Sequence, residues 1–155
     1  MRAAWDRVAG ATTDADATTD ADATAAKIRG AGGELVMEPM DVMDFGRMAI
    51  AVDPAGAVFG IWQARAFPGA QIVNEPGAMR WNEQMSHDLE GSKAFYAAVF
   101  GYEYGDRSGE GFSYATFKVD GRDVGGMMPL MRTRTRGLTW MLRDRGRMTG
   151  LATRR

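Results

Sequence analysis

The chain has no cysteine and a single histidine, His87. The first absence excludes disulfides, thiolate metal sites and a cysteine nucleophile. The second leaves Ser–His or Cys–His catalysis almost no raw material, and His87, just ahead of a helix start, reads as a solvent-exposed side chain. Lack of cysteine fits a reducing compartment, so a cytoplasmic location is expected. No stretch approaches the roughly 18 consecutive apolar residues of a membrane-spanning helix, so no membrane contact is expected. Residues 1–11 hold no apolar run long enough for a signal peptide. A phosphate-binding loop is also missing. Gly30-Ala-Gly-Gly33 follows a helix and precedes a strand, the reverse of the nucleotide-binding order.

What is present suits a folded protein. The 155 residues are 45% hydrophobic, enough for one compact domain or two small modules sharing a core. The net charge of −1 hides two regimes. Residues 130–155 carry eight arginines against Asp144 alone, a net +7. Residues 1–129 hold 11 basic and 19 acidic groups, a net −8. The basic stretch lacks helical or strand periodicity and is expected to be a poorly ordered tail, dispensable for the fold; a short docked helix from about Leu138 to Arg147 is the alternative. Arginine-rich sequence can neutralise phosphates, but a reading-frame slip or a loose tail accounts for it more simply, and no nucleic-acid partner is expected.

Along the chain, Thr12-Thr13-Asp14-Ala15-Asp16-Ala17 recurs as Thr18 to Ala23 and reads as an exposed loop feeding a helix. Its alternating aspartates do not make a calcium loop. Thr19 stands where glycine is needed and Ala25 where glutamate is needed. A helix is expected from Asp22 to Ala31, capped by Asp20 or Asp22 and stopped by Gly32-Gly33. Strands follow at Glu34–Met37, Arg47–Val52 and Ala57–Trp62, with Pro39–Phe45 as a loop and Asp53-Pro54-Ala55-Gly56 as a turn. Residues 64–78, with two prolines and two glycines, read as a connector. The cycle then repeats: a strand at Met79–Met85, a helix capped by Asp88 and ending at Phe100-Gly101, then strands at Tyr102–Tyr104, Phe112–Val119 and Asp123–Met128. Asp22 and Lys27 match Asp88 and Lys93, and Asp53 matches Asp120. Such self-similarity points to repeated supersecondary units that bury their faces against each other.

Two segments carry a family resemblance. Asp88-Leu-Glu-Gly-Ser-Lys-Ala-Phe-Tyr-Ala-Ala-Val-Phe-Gly101 is similar to the "D-x-x-x-S-x-x-F-Y-x-x-x-x-G" helix of the vicinal-oxygen-chelate (glyoxalase/bleomycin-resistance/dioxygenase-like) superfamily. Ala51-Val-Asp-Pro-Ala-Gly56 with Phe59-Gly-Ile-Trp62 resembles that superfamily's "D-P-x-G" turn and final strand. The stretch Val42 to Pro54, with Asn74-Glu-Pro-Gly77, looks closer to the actinobacterial tandem glyoxalase-like proteins, often labelled hydroxylase or antigen. The resemblance implies an α+β fold: two βαβββ units forming curved, mixed, mostly antiparallel sheets with helices packed outside. Residues 1–66 would be the second half of one domain, 67–78 a linker, 79–129 the first half of the next, and 130–155 the tail.

The resemblance also implies four inward slots, on the first and last strand of each unit, that hold a divalent ion in catalytic members. Counting from the caps and turns puts Ala15, Gly60, Trp81 and Met127 in those slots, and none ligates such a metal well. No metal and no cofactor are therefore expected. Glu83, two residues on from Trp81, stays on the inward face. The inward residues Trp62, Trp81, Tyr114 and Met127, with Met85, are expected to line an apolar cleft. Glu83 is its one charged group and the strongest site candidate, because a buried lone carboxylate is costly unless hydrogen-bonded. The expected function is binding of a small organic molecule in a metal-free cleft. The alternatives are a truncated or frameshifted fragment with only an assembly role, its exposed sheet faces leaving a homodimer open, and a metal-dependent lyase or dioxygenase-type enzyme.

Overall fold

A computed structural model describes residues 15–69, 72, 75, 76, 78, 81–130, 139–144 and 147–149. The elements in chain order are β1 (Ala15–Ala17), α1 (Ala21–Gly30), β2 (Glu34–Val42), β3 (Gly46–Val52), β4 (Val58–Ala64), β5 (Asn82–Ser86), α2 (Leu89–Phe100), β6 (Glu103–Asp106), β7 (Ala115–Val119), β8 (Arg122–Pro129), β9 (Thr139–Asp144) and β10 (Arg147–Thr149). They form an α+β fold of two sheets. One has strand order β1-β4-β3-β2, the other β10-β9-β5-β8-β7-β6. Four strands of the second repeat the first: β5-β8-β7-β6 follows the same order as β1-β4-β3-β2, with the outer pair parallel and the rest antiparallel.

Each helix starts where a carboxylate satisfies an orphan amide. Asp20 Oδ1 accepts from the Ala23 amide at 2.9 Å, and Asp88 Oδ1 accepts from the Gly91 amide at 2.9 Å. Gly101, at φ 73, closes α2 in the left-handed region. Helix α1 buries Ala21, Thr24, Ala25 and Ile28; α2 buries Ser92, Phe95, Tyr96 and Val99. The helices touch each other and cover one face of each sheet. A single apolar core therefore runs through both units, from Ile28, Ala49, Ala51, Phe59 and Ile61 to Phe95, Tyr96, Val99, Phe117 and Met127. The Phe59 ring meets Phe95 edge-on at 5.9 Å. Gly33 lies at this seam: a Cβ there would approach Ile28 Cγ2 and Phe95 Cε2 within 2.9 Å.

A buried carboxylate ties the units together. Asp53, 3% exposed, folds its own turn by accepting from the Ala55 and Ala57 amides through Oδ1, at 2.9 and 2.8 Å. Its Oδ2 accepts across the seam from Gln84 Nε2 at 3.3 Å and from the Tyr96 hydroxyl at 3.2 Å. On the surface, the Arg47 guanidinium joins Asp22 of α1 to Asp41 of β2, and Arg65 adds to Asp41. Hydrogen bonds from Arg47 hold both carboxyls below the usual carboxylate range, with Arg65 contributing at Asp41.

Several elements differ from the sequence expectation. Asp20, not Asp22, caps α1. Ala15–Ala17, expected as loop, is a strand parallel to β4. Strand β2 continues to Val42 through the expected loop. Its ladder shifts register between Leu35 and Met37 and between Met37 and Met40, and Pro39, which cannot donate to a ladder, falls in that irregular stretch. Within the expected poorly ordered tail, Thr139–Asp144 pairs antiparallel with β5 and Arg147–Thr149 with β9. That pairing covers an edge of β5 that would otherwise present unpaired amides and carbonyls. The other residues of 131–155 lie outside the described residues, as do Met79 and Arg80.

Candidate functional site

On β5 the side chains alternate. Gln84 and Ser86 are buried towards α2, where Ser86 Oγ bonds Ser92 Oγ at 2.7 Å. Glu83 and Met85 point to the opposite face. Cross-strand register sets a row on that face: Gly105 opposite Thr116, Thr116 opposite Gly126, Gly126 opposite Glu83. Two of its members are glycines, so the row is low, and the Tyr114 side chain lies over it. A Cβ on Gly126 would come within 1.9 Å of the Tyr114 hydroxyl oxygen. Glycine at position 126 is what lets that ring reach β5.

The result is a directed hydrogen-bond chain. Trp81 Nε1–H donates to the Tyr114 hydroxyl at 3.0 Å, and the Tyr114 O–H donates to Glu83 Oε1 at 3.0 Å. Glu83 is 5% exposed, while Trp81 and Tyr114 are half-buried. The Phe112 ring, 51% exposed, stacks on Tyr114 at 5.6 Å and 15°. In the same row, Thr116 Oγ1 donates to Asp123 Oδ1 at 2.8 Å and Arg107 bonds Oδ2 at 3.1 Å. The Thr116 hydrogen bond foremost, then Arg107, keeps the Asp123 carboxyl below the usual range.

Three of the five expected site residues, Glu83, Trp81 and Tyr114, thus form one cluster. Trp62 belongs to the other sheet. It is 8% exposed, donates from Nε1 to the Phe67 carbonyl at 3.1 Å, and has its ring edge-on to Phe67. Met127 is 1% exposed and sits in the apolar core. Its cross-strand partner is Gln84, not Glu83, so it faces the helices. His87 is exposed, as expected.

The register also corrects the metal-slot count. Ala15 pairs with Gly60 as Glu83 pairs with Gly126. Ala15 and Glu83 each lie five residues before their helix cap, Asp20 and Asp88. The equivalent positions are therefore Ala15, Gly60, Glu83 and Gly126, with Trp81 and Met127 outside the set. Zinc in enzymes takes three protein ligands and a water, and harder divalent ions take six or more oxygens. Here one carboxylate is available, and its Oε1 already accepts from Tyr114. Among the described residues no three His, Cys, Asp or Glu side chains come together. These residues do not make up a divalent-metal site.

Comparison with known proteins bears on the family. No family model matches the chain. The anthracycline biosynthesis protein DauV of Streptomyces sp. (strain C5) is 35% identical over 133 residues, which are 86% of this chain and 46% of DauV. CFP32 of Mycobacterium bovis, whose name proposes it as a glyoxylase, is 38% identical over 103 residues, 66% of this chain and 40% of CFP32. The chain thus spans about half the length of the curated relatives it matches. In fold it is similar to the Mn(II)-bound glyoxalase from Novosphingobium aromaticivorans, with TM-score 0.60, 17% identity, and coverage of 75% of this chain and 41% of the other. It is also similar to BphC, a halotolerant catechol dioxygenase, with TM-score 0.57, 13% identity, and coverage of 83% and 47%. Among the described residues no helix is long and apolar enough to cross a membrane. The duplicated βαβββ topology, the sequence relatives and the shared fold agree: the chain belongs to the vicinal-oxygen-chelate superfamily.

Proposed function

We propose that the chain is a glyoxalase-like protein that binds a small organic molecule, aromatic in character, on the face of the second sheet that carries Glu83, opposite the helices. The observation that carries this reading is the Trp81–Tyr114–Glu83 chain. It puts two half-buried aromatic rings beside a buried carboxylate, the mixture of apolar walls and few fixed polar groups typical of small-molecule sites. The function is binding without metal assistance, since the equivalent positions supply one carboxylate only. Relatives named for anthracycline biosynthesis support testing fused-ring aromatics first. The experiment is a titration of the chain with a panel of soluble anthraquinones, following the indole N–H resonance of Trp81. A saturable shift, lost in Tyr114→Ala while Trp62 is unmoved, is the expected outcome. No shift at Trp81 with any member of the panel overturns the reading.

A second reading rests on a different observation. The face and edge of the first sheet expose Val36, Met37, Met40 and Val58, from 37% to 65%. Adaptable apolar surface of this kind suits contact with another protein surface. In this reading the chain assembles with a further βαβββ unit, in a longer protein or a second copy. Light scattering behind size exclusion should then give a dimer mass, and Met40→Glu should return it to the monomer; a monomer at all concentrations contradicts it.

A further inference from the structure

The Glu83 carboxylate is only half satisfied. Its Oε1 accepts from Tyr114. Among the described residues nothing donates to Oε2, no cation pairs with it, and the side chain is 5% exposed. An ionised carboxylate offers about four acceptor positions, and leaving such a group buried without partners is unfavourable. Among the described side chains of β5 and β8 none supplies the missing donor. Gly126, directly opposite, has no side chain, and Met85, two residues along β5, has no hydrogen to donate. The Trp81 N–H is committed to Tyr114, and the Tyr114 O–H to Oε1.

We propose that Glu83 Oε2 selects the ligand: the bound molecule carries a hydroxyl on an aromatic ring and donates that hydrogen to this oxygen. The inference rests on the ligand-binding reading above and narrows it to a chemical class. A ligand presenting only acceptors, such as a ketone, an ether or a carboxylate, would set oxygen against oxygen and gain nothing from Oε2. A phenolic hydroxyl, more acidic than an alkyl one, makes a short charge-assisted bond to a carboxylate. The rest of the molecule is expected to be planar, because the Trp81, Tyr114 and Phe112 rings beside the carboxylate offer flat surfaces, and Phe112 and Tyr114 already stack at 15°. Tyr114 fixes the rotation of the carboxylate, so that Oε2 keeps one direction. This is pre-organisation of an acceptor, with Tyr114 a positioning residue and Glu83 the one that touches ligand.

The test compares 2,6-dihydroxyanthraquinone, a planar molecule whose hydroxyls lie away from its carbonyls and are free to donate, with its dimethyl ether, which has the same rings and no hydroxyl hydrogen. Dissociation constants come from tryptophan fluorescence, with the Trp81 indole resonance locating the site. The expected result is that the dihydroxy compound binds about 10- to 100-fold tighter than the ether, the range of one hydrogen bond to a charged group. Glu83→Gln, close in shape, should shrink that ratio to near one while keeping ring binding. Should Glu83→Gln fail to fold, Tyr114→Phe serves: it keeps the ring and the carboxylate but frees the carboxylate to turn, so the preference for the dihydroxy probe should fall while ring binding persists, and an unchanged ratio overturns the inference. Equal affinity of the two probes with a shift at Trp81 overturns the inference and leaves the ligand-binding reading standing. An unchanged ratio in Glu83→Gln also overturns it, and binding of neither probe overturns both.

Discussion

Replacing Asp53 with alanine should lower folding stability by about 3–5 kcal/mol, the range for removing one partner of a buried charged network. Four donors lose their acceptor in one step: the Ala55 and Ala57 amides, Gln84 Nε2 and the Tyr96 hydroxyl. The first two close the turn ahead of β4; the last two come from the other unit. The loss should therefore appear as one cooperative transition at a lower urea midpoint, not as separate melting of two units, because the core is shared. Two further variants divide the effect. Gln84→Ala and Tyr96→Phe each remove one cross-seam bond and leave the turn alone, and each should cost about 1–3 kcal/mol. A double-mutant cycle between Asp53 and Tyr96 should give a coupling above 0.5 kcal/mol. An Asp53→Ala protein with an unchanged midpoint would mean that the two units do not meet through this carboxylate.

Two adjacent glycines of β8 should give opposite kinds of damage. A Cβ on Gly125 would lie 2.1 Å from Phe117 Cζ and 2.7 Å from the Asn82 carbonyl oxygen. The first is a ring buried to 2% in the core and the second is backbone of the neighbouring strand. Neither can retreat cheaply, so Gly125→Ala should cost at least about 1–3 kcal/mol by overpacking and parting β5 from β8. A Cβ on Gly126 meets Tyr114 instead, at 1.9 Å from the hydroxyl oxygen. That ring is half-buried at the sheet surface and can swing away. Gly126→Ala should keep most of the stability while breaking the bonds from Trp81 and to Glu83, visible as an upfield move of the Trp81 indole proton and loss of ligand binding. If Gly126→Ala bound ligand like the parent chain, the Tyr114 position would be irrelevant to the site.

Much of the fold is legible in the residues because it is local. The Asp88 cap, the Phe95–Tyr96 stripe and the Gly101 stop define α2 within a dozen positions, and Asp53-Pro54-Ala55-Gly56 announces its turn. Legibility fails where a choice depends on distant partners. Asp20 and Asp22 are both fit to cap α1, and taking the wrong one displaces the first-strand slot by two, so that Ala15 is matched to Trp81 in place of Glu83. The second error has another cause. The Asp120-Gly121 turn is tighter than the one at Asp53, and β7 and β8 shift register between Phe117 and Lys118. Counting forward from Asp120 therefore lands on Met127, on the core face, when the equivalent of Gly60 is Gly126. Glu83 and Trp81 are readable as one face of an alternating strand. That Tyr114 bridges them is not, since its ring crosses from β7 side to β5. The signal that could have revealed it is the pair Gly125-Gly126 inside a strand, a mark of close approach by other groups. Trp62 shares the inward alternation but lies on the first sheet, a separation that spacing alone does not reveal.

We propose Trp81, Tyr114 and Glu83 as the ligand site of this domain, with Glu83 Oε2 as its acceptor. A crystal structure of the chain grown with 2,6-dihydroxyanthraquinone tests it most directly. The expected result is ring density against Trp81 and Tyr114, with a hydroxyl oxygen about 2.5–2.7 Å from Glu83 Oε2. Density on the methionine-bearing face of the first sheet, with Glu83 untouched, would contradict it.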